Sequence, residues 1–347
     1  MRAAFSLAEE VPLRSRNTFR VAATARFLAT VHEAAALPSL LGEERFRGLP
    51  RLVLGAGSNV LFAAERFPGL VVQLAEGGAR MIAEDARCTT VRAGAAYRWD
   101  ALVDWTLDRG LGGLENLALI PGQAGAAPIQ NIGAYGVEVA RFVSAVEAFD
   151  VPGGRACRLA AADCAFGYRD SLFKREPDRW IVTALELELP REHAVELGYA
   201  GVREELRALG DPPPTPRHVA AAVRSLRRRR LPDPSVIGNA GSFFKNPVVM
   251  AEAAEELRAR LPGLPCHAGA SALERKLSAA WLIEQAGWRG YRDGDAGVSA
   301  QHALVLVNYG GASGAQLLGL ARRVADSVEQ RFGVRLEPEP RIVGAVF

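Results

Sequence analysis

Glu115-Asn-Leu-Ala-Leu-Ile-Pro-Gly-Gln-Ala-Gly-Ala-Ala-Pro-Ile-Gln-Asn-Ile-Gly-Ala-Tyr-Gly136 carries no charge after its first residue. A neutral run of this length invites reading as a membrane span, but Pro121, Pro128, Asn131 and the glycines forbid a regular helix across lipid. Small residues instead let a flat ligand lie against the main chain. The plain alternative is a glycine-rich loop buried between domains. A loop so long must satisfy many backbone groups, and a large, partly apolar cofactor would do that.

Upstream, Gly55-Ala-Gly-Ser-Asn59 leaves the predicted strand 52–54, a place where amides can cradle phosphate. The third glycine of a dinucleotide fingerprint is missing, and Val60-Leu-Phe62 does not open a helix, which argues against a Rossmann site. A simple tight turn is an equal reading. Around these segments, 70–72, 89–91, 143–150 and 180–189 read as strands, the last half-exposed because it alternates apolar and acidic residues. Residues 100–109 read as a helix stopped by Gly110, and 218–230 as a helix following the proline-rich connector 211–216. Ser271-x-x-Glu274 and Ser313-x-x-Gln316 each predict a capped helix, with a buried strand at 303–307 between them. Boundaries fall near residues 75 and 231.

The chain has 347 residues, 49% of them apolar and 23% charged, which suits two or three globular domains and excludes disorder or a coiled coil. Lys and Arg total 42 against 39 acids, and a net charge of +3 gives no reason to expect nucleic acid or membrane as a partner. Cys88, Cys157, Cys164 and Cys266 show neither metal nor scaffold spacing, and Met1–Arg16 lacks a signal-peptide core; a reduced, cytoplasmic protein without a metal is expected. No association motif stands out, so a monomer is expected.

Asn17-Thr-Phe19, Gly55-Ala-Gly-Ser-Asn-Val-Leu61, Glu115 to Gly122, Pro128 to Gly136, Phe166-Gly-Tyr-Arg-Asp-Ser171, Leu231-Pro-Asp-Pro234, Gly238-Asn-Ala-Gly-Ser-Phe-Phe-Lys-Asn-Pro247 and Leu336-Glu-Pro-Glu339 succeed one another in a characteristic order. In this the chain resembles the UDP-N-acetylenolpyruvoylglucosamine reductase family, in its longer form with a tyrosine loop, Tyr199 being that tyrosine. The resemblance implies an α+β fold: a two-part FAD-binding region of the vanillyl-alcohol-oxidase-like type plus a separate α+β substrate-binding domain. The expected parts are 1–75 and 76–230, with the tail 333–347 returning to the second, and a substrate domain at 231–332. Such a return would set Glu339 opposite Ser242 across a cleft.

The same resemblance implies non-covalent FAD, NADPH as reductant, and UDP-N-acetylglucosamine enolpyruvate as substrate in cytoplasmic peptidoglycan precursor synthesis. Hydride passes from reduced flavin N5 to the enolpyruvyl methylene carbon. Arg169 matches the arginine that stabilises the resulting enolate, Glu339 a glutamate that assists as a protonated acid, and Ser242 the proton donor. Gly55, Ala56, Gly57, Ser58, Asn59, Val60, Ile120, Pro121, Gly125, Ala126, Ile129, Asn131, Gly133 and Arg227 match cofactor positions. Tyr135, Tyr199, Arg230, Lys245, Asn246 and His302, with His267 beside them, are the substrate candidates. Three departures stand out: Ala126-Ala127 where serines are common, Arg230 where a lysine is usual, and Pro340 after Glu339. Another flavin oxidoreductase of the same fold, or an inactive nucleotide-binding relative, are the rival readings. No histidine or cysteine in the glycine segments offers a covalent flavin link.

Overall fold

The computed structural model describes residues 3–211 and 213–347, so Pro212 of the proline-rich connector, like Met1 and Arg2, lies outside the described residues. The chain divides into two compact units: Met1–Val11, Ala25–Ala56 and Pro68–Arg229 form one, and Pro12–Thr24, Gly57–Phe67 and Arg230–Phe347 the other.

The first unit holds two sheets. In one, Phe5–Pro12, Thr24–Val31, Arg66–Leu74 and Arg51–Val53 lie in that order, with Leu52 opposite Val71 in a parallel pair. Phe27, Leu37, Leu40, Phe46, Leu70 and Val72 form its core. The other sheet is antiparallel, in the order Arg155–Ala160, Val143–Asp150, Trp180–Pro190, Cys88–Gly94, Ala79–Glu84. Three helices, Trp99–Leu107, Val202–Ala208 and Pro216–Arg230, share one apolar cluster with it through Leu102, Val103, Leu206, Val219, Val223 and Leu226. Burying these stripes is what makes helices of the 3.6-residue pattern.

Trp180–Pro190 differs from its expected half exposure: only Glu188 in it is exposed, because the strand is central and covered. Its acidic Glu186 survives burial by a bidentate pair with Arg158, at 2.7 and 2.9 Å, from the edge strand. Nearby, Arg92 grips Glu147 with two 2.7 Å bonds and holds that carboxyl below its ordinary pKa.

The second unit is assembled from three stretches of chain. Val60–Phe62 pairs in parallel with Arg341–Val343, so the tail meets a segment expected in the first subdomain and found outside it. Two three-stranded antiparallel sheets and the helices Ala251–Arg260, Ala279–Gln285 and Gly314–Phe332 complete the unit. The last of these helices carries the full capping box at Ser313 and Gln316, a device that contributes about 1 kcal/mol. The box at Ser271 caps no helix. Glu274 does reach back to the Ser271 amide at 3.2 Å, but the turn feeds the strand Glu274–Leu277. The helix starts later, at Ala279, with Ser278 as its cap. The expected strand 303–307 lies at Leu306–Asn308, after the turn that His302 begins. No described helix is long and apolar enough to cross a membrane.

Candidate active site

Within the first unit, the neutral tract is a chain of short turns rather than a helix, with Glu115–Leu117 and Ala124–Ala126 as single 3-10 turns. It is stitched to the start of the helix Trp99–Leu107: Trp99 N–H donates to Gly122 O at 3.1 Å, the Trp99 indole to Leu117 O at 2.9 Å, and Leu119 N–H to Asp100 at 2.6 Å. Ala126 and Ala127 spend their amides on Gln123 O and Ala124 O. Those two amides therefore do not stand in for the serine hydroxyls that the family often carries there.

Other donors remain unspent. In this unit the amides of Gly55, Ala56, Ile120 and Gly122 donate to no acceptor of the chain among the described residues. Fully buried Asn116 keeps a side-chain oxygen without a partner. Uncharged donors flanked by small residues suit the pyrophosphate and ring edges of a flavin.

Arg169 lies beside this tract. Its guanidinium donates to Gly133 O at 2.6 Å and Asn131 O at 3.5 Å, and a Cβ on Gly133 would come within 2.8 Å of Nη1. Arg227 donates to Leu119 O at 3.1 Å. Burial lowers its pKa, opposed by Tyr135 and Asp100 and reinforced by Arg169; a guanidinium so placed remains charged. Tyr135 meets Tyr199 edge to face at 5.0 Å between ring centroids, with Tyr199 45% exposed. Asn116 ties that region together by donating to Tyr135 O and Glu196 O. Arg169, Arg227, Tyr135 and Tyr199 thus share one unit with Ile120, Pro121, Gly125, Ala126, Ile129, Asn131 and Gly133. Cys164 is inert there, its thiol pushed up to about 11 by burial with Asp163 nearby.

The second unit carries Ser242 and Glu339 on neighbouring chain segments. Phe243 N–H donates to Leu304 O and Glu339 N–H to Phe243 O, both at 2.7 Å, while Phe244 and Pro338 form an antiparallel bridge. The segments that carry Ser242 and Glu339 are therefore hydrogen-bonded neighbours within this unit, with Glu339 opposite Phe243. Phe243 and Phe244 are buried. Asn59 fixes the same spot, donating from Nδ2 to Glu339 O at 3.3 Å and, from its backbone carbonyl, accepting Arg341 N–H at 3.0 Å. Pro340 sits between the two amides this arrangement uses, so its missing N–H costs no bond. Buried Asn239 places the preceding turn by accepting Gly241 N–H at 3.0 Å.

Of the other polar candidates in this unit, Lys245 pairs with Glu337 at 3.3 Å, and Asn246 accepts Ala279 N–H at 3.0 Å. Exposed His267 lies in the strand Cys266–Ala268 opposite Lys276. His302 Nδ1 accepts the Leu304 amide at 3.3 Å, which leaves the ring proton on Nε2. Burial lowers its pKa, Arg230 and Arg289 lower it further, and Glu284 opposes them. Below the ordinary value of 6.5 the unfolded chain takes up a proton that native His302 refuses, so this group's stabilisation is complete above that pH and is lost as pH falls. His302→Asn keeps an acceptor for the amide but cannot titrate. Urea unfolding at pH 7.5 and 5.5 is expected to show a larger acid loss for the wild type than for the variant; equal losses would sink this assignment.

One support of these groups is the first residue of a quoted motif, whose own role the motif leaves unstated. Glu115, fully buried, is paired with His193 at 2.5 Å and accepts Gly113 N–H at 2.6 Å. Burial raises the pKa of Glu115, but the His193 bond and backbone donors outweigh it and the net shift is down. Nothing in the sequence pointed to His193, 78 residues away, as its partner.

The chain matches the family model of the FAD binding domain over residues 25–160, and that of the UDP-N-acetylenolpyruvoylglucosamine reductase C-terminal domain over 233–343. The UDP-N-acetylenolpyruvoylglucosamine reductase of Xanthomonas euvesicatoria pv. vesicatoria (strain 85-10) is 55% identical over 341 residues, covering 98% of this chain and 97% of the relative. The chain belongs to the UDP-N-acetylenolpyruvoylglucosamine reductase family. A reductase of the same description from Xylella fastidiosa (strain M12) is 55% identical over 334 residues, 96% of this chain and 95% of the relative. The crystal structure of the Thermus caldophilus reductase aligns over 98% of both chains with a TM-score of 0.65 at 27% identity. The family assignment makes the chain an FAD-dependent oxidoreductase, with the α+β two-part FAD-binding region and separate C-terminal domain expected from its sequence.

Proposed function

We propose that this protein reduces UDP-N-acetylglucosamine enolpyruvate to UDP-N-acetylmuramate with electrons from NADPH, as a cytoplasmic monomer in peptidoglycan precursor synthesis. The observation that carries the reading is the backbone bond from Glu339 N–H to Phe243 O, which brings together the segments bearing Ser242 and Glu339. FAD, when bound, would supply two-electron hydride chemistry between NADPH and the enolpyruvyl methylene carbon. One further proton completes the balance, so NADPH and a proton become NADP⁺ while the double bond becomes single.

The chain's own residues handle the charge and the proton. Arg169, permanently cationic and forked, binds the substrate carboxylate as the neighbouring carbon gains negative charge. Glu339, as a carboxylic acid, donates a hydrogen bond to the same developing enolate. Ser242 gives its hydroxyl proton to that carbon on one face and is reprotonated from solvent. Phe243 and Phe244 keep water from competing. The unspent amides of the two glycine segments hold the cofactor. Arg227 serves the cofactor side, while Tyr135, Tyr199, Arg230, Lys245, Asn246 and His302 address the nucleotide and its diphosphate. Incubation with NADPH and the enolpyruvyl substrate should yield, by mass spectrometry, a product heavier by two hydrogens. An unchanged substrate beside consumed NADPH would refute the assignment.

A further inference from the structure

Arg169 has a left-handed backbone, φ 53°, which L residues avoid. Such a conformation persists where the surroundings over-determine it. Three side chains do so here. Asn131, 1% exposed and itself left-handed at φ 43°, donates from Nδ2 to Gly167 O and to Glu138, each at 2.9 Å, while its Oδ1 accepts Ala140 N–H at 3.0 Å. Ser171, wholly buried, donates to Ile129 O at 2.6 Å and accepts the Lys174 amide at 3.3 Å. Lys174 Nζ donates to the carbonyl of Arg169 itself at 3.1 Å. Gly167 and Asp170 close the turn on each other. Both ends of the turn are thereby tied to 129–131 of the neutral tract, and the guanidinium rests on carbonyls of the same tract, those of Asn131 and Gly133.

The family resemblance assigns Asn131 to the cofactor, yet its side-chain amide spends both its oxygen and its nitrogen on protein groups. We propose that Asn131, Ser171 and Lys174 are positioning residues that hold Arg169 in a preset, strained turn. The guanidinium then meets the substrate carboxylate without reorganising, and a misplacement of about 1 Å costs on the order of 10²-fold in rate. The proposal rests on the reading of Arg169 as the group that stabilises the enolate.

The test uses the holoenzyme in anaerobic stopped flow. Asn131→Gly removes the amide while keeping the left-handed backbone accessible; Lys174→Met removes the ammonium and keeps the stem. Each is measured alone and combined with Arg169→Lys. Each single variant should slow flavin reoxidation by substrate roughly 10–100-fold, change reduction by NADPH less than about threefold, and add less than about threefold in the Arg169→Lys background. Losses that multiply with Arg169→Lys, or equal slowing of both half-reactions, overturn the positioning role. An Arg169→Lys enzyme that reoxidises at the wild-type rate instead removes the reading of Arg169 beneath it. Should Asn131→Gly lose its flavin, Lys174→Met decides alone.

Discussion

Ser242→Ala is expected to leave reduction of the bound flavin by NADPH within about threefold of wild type while slowing reoxidation by substrate on the order of 10²–10⁴-fold, the range of a lost general acid. The split reflects where the hydroxyl acts. Hydride transfer from NADPH requires no proton from Ser242, whereas the carbanion formed on the substrate has to be protonated. Removing one oxygen leaves the surrounding strands intact, because Phe243 N–H to Leu304 O and Glu339 N–H to Phe243 O are backbone bonds. The substitution thus deletes a reactant and not a support. Stopped-flow traces for the two half-reactions check it, and equal slowing of both would remove Ser242 from the role of donor.

Gly57→Ala should produce the second large effect, on the cofactor. Gly57 has φ 63°, and a Cβ there would stand 2.2 Å from Arg16 O and 2.7 Å from Asn17 Cα. Its carbonyl also accepts Thr18 N–H at 3.1 Å. Asn17, buried, locks the opposing loop through bonds to Leu13 O, Val21 O and Val21 N–H. Neither backbone can retreat cheaply, so the segment must shift. A destabilisation of about 3 kcal/mol or more is expected, which for a chain of 347 residues lowers Tm by about 4 °C or more. The neighbouring amides proposed to hold the cofactor move with it, so the purified variant should be colourless, which flavin absorbance reads directly. A yellow variant with wild-type Tm would show that this approach is not essential.

The elements that could be read from sequence were those whose signal is local. The apolar stripe of Pro216–Arg230 and the box at Ser313 each depend on residues within four positions of each other. The Ser271 box starts no helix because the same Ser–Glu reach closes a turn before a strand just as readily; four residues encode the bond but not the element it leads into. Trp180–Pro190 alternates like a surface strand, and only the distant Arg158 explains how Glu186 is buried. Which strand lies central is a property of partners far along the chain.

The site divides in the same way. Neutrality and small residues in 116–136 marked a ligand tract without naming the ligand; the order of motifs supplied that. Composition and periodicity do not single out Arg169; the string 166–171 does so only through the resemblance, and its left-handed backbone and bonds to residues 36 and 38 positions away lie outside both. Likewise the pairing of the segments that carry Ser242 and Glu339 joins chain nearly a hundred residues apart, which no local pattern encodes.

The most direct test of the account is anaerobic stopped-flow absorbance of the purified wild-type protein, reduced with one equivalent of NADPH and then mixed with UDP-N-acetylglucosamine enolpyruvate. The account predicts rapid return of the oxidised flavin spectrum with this substrate and none with UDP-N-acetylglucosamine. A flavin that NADPH reduces but the enolpyruvyl substrate fails to reoxidise would contradict it.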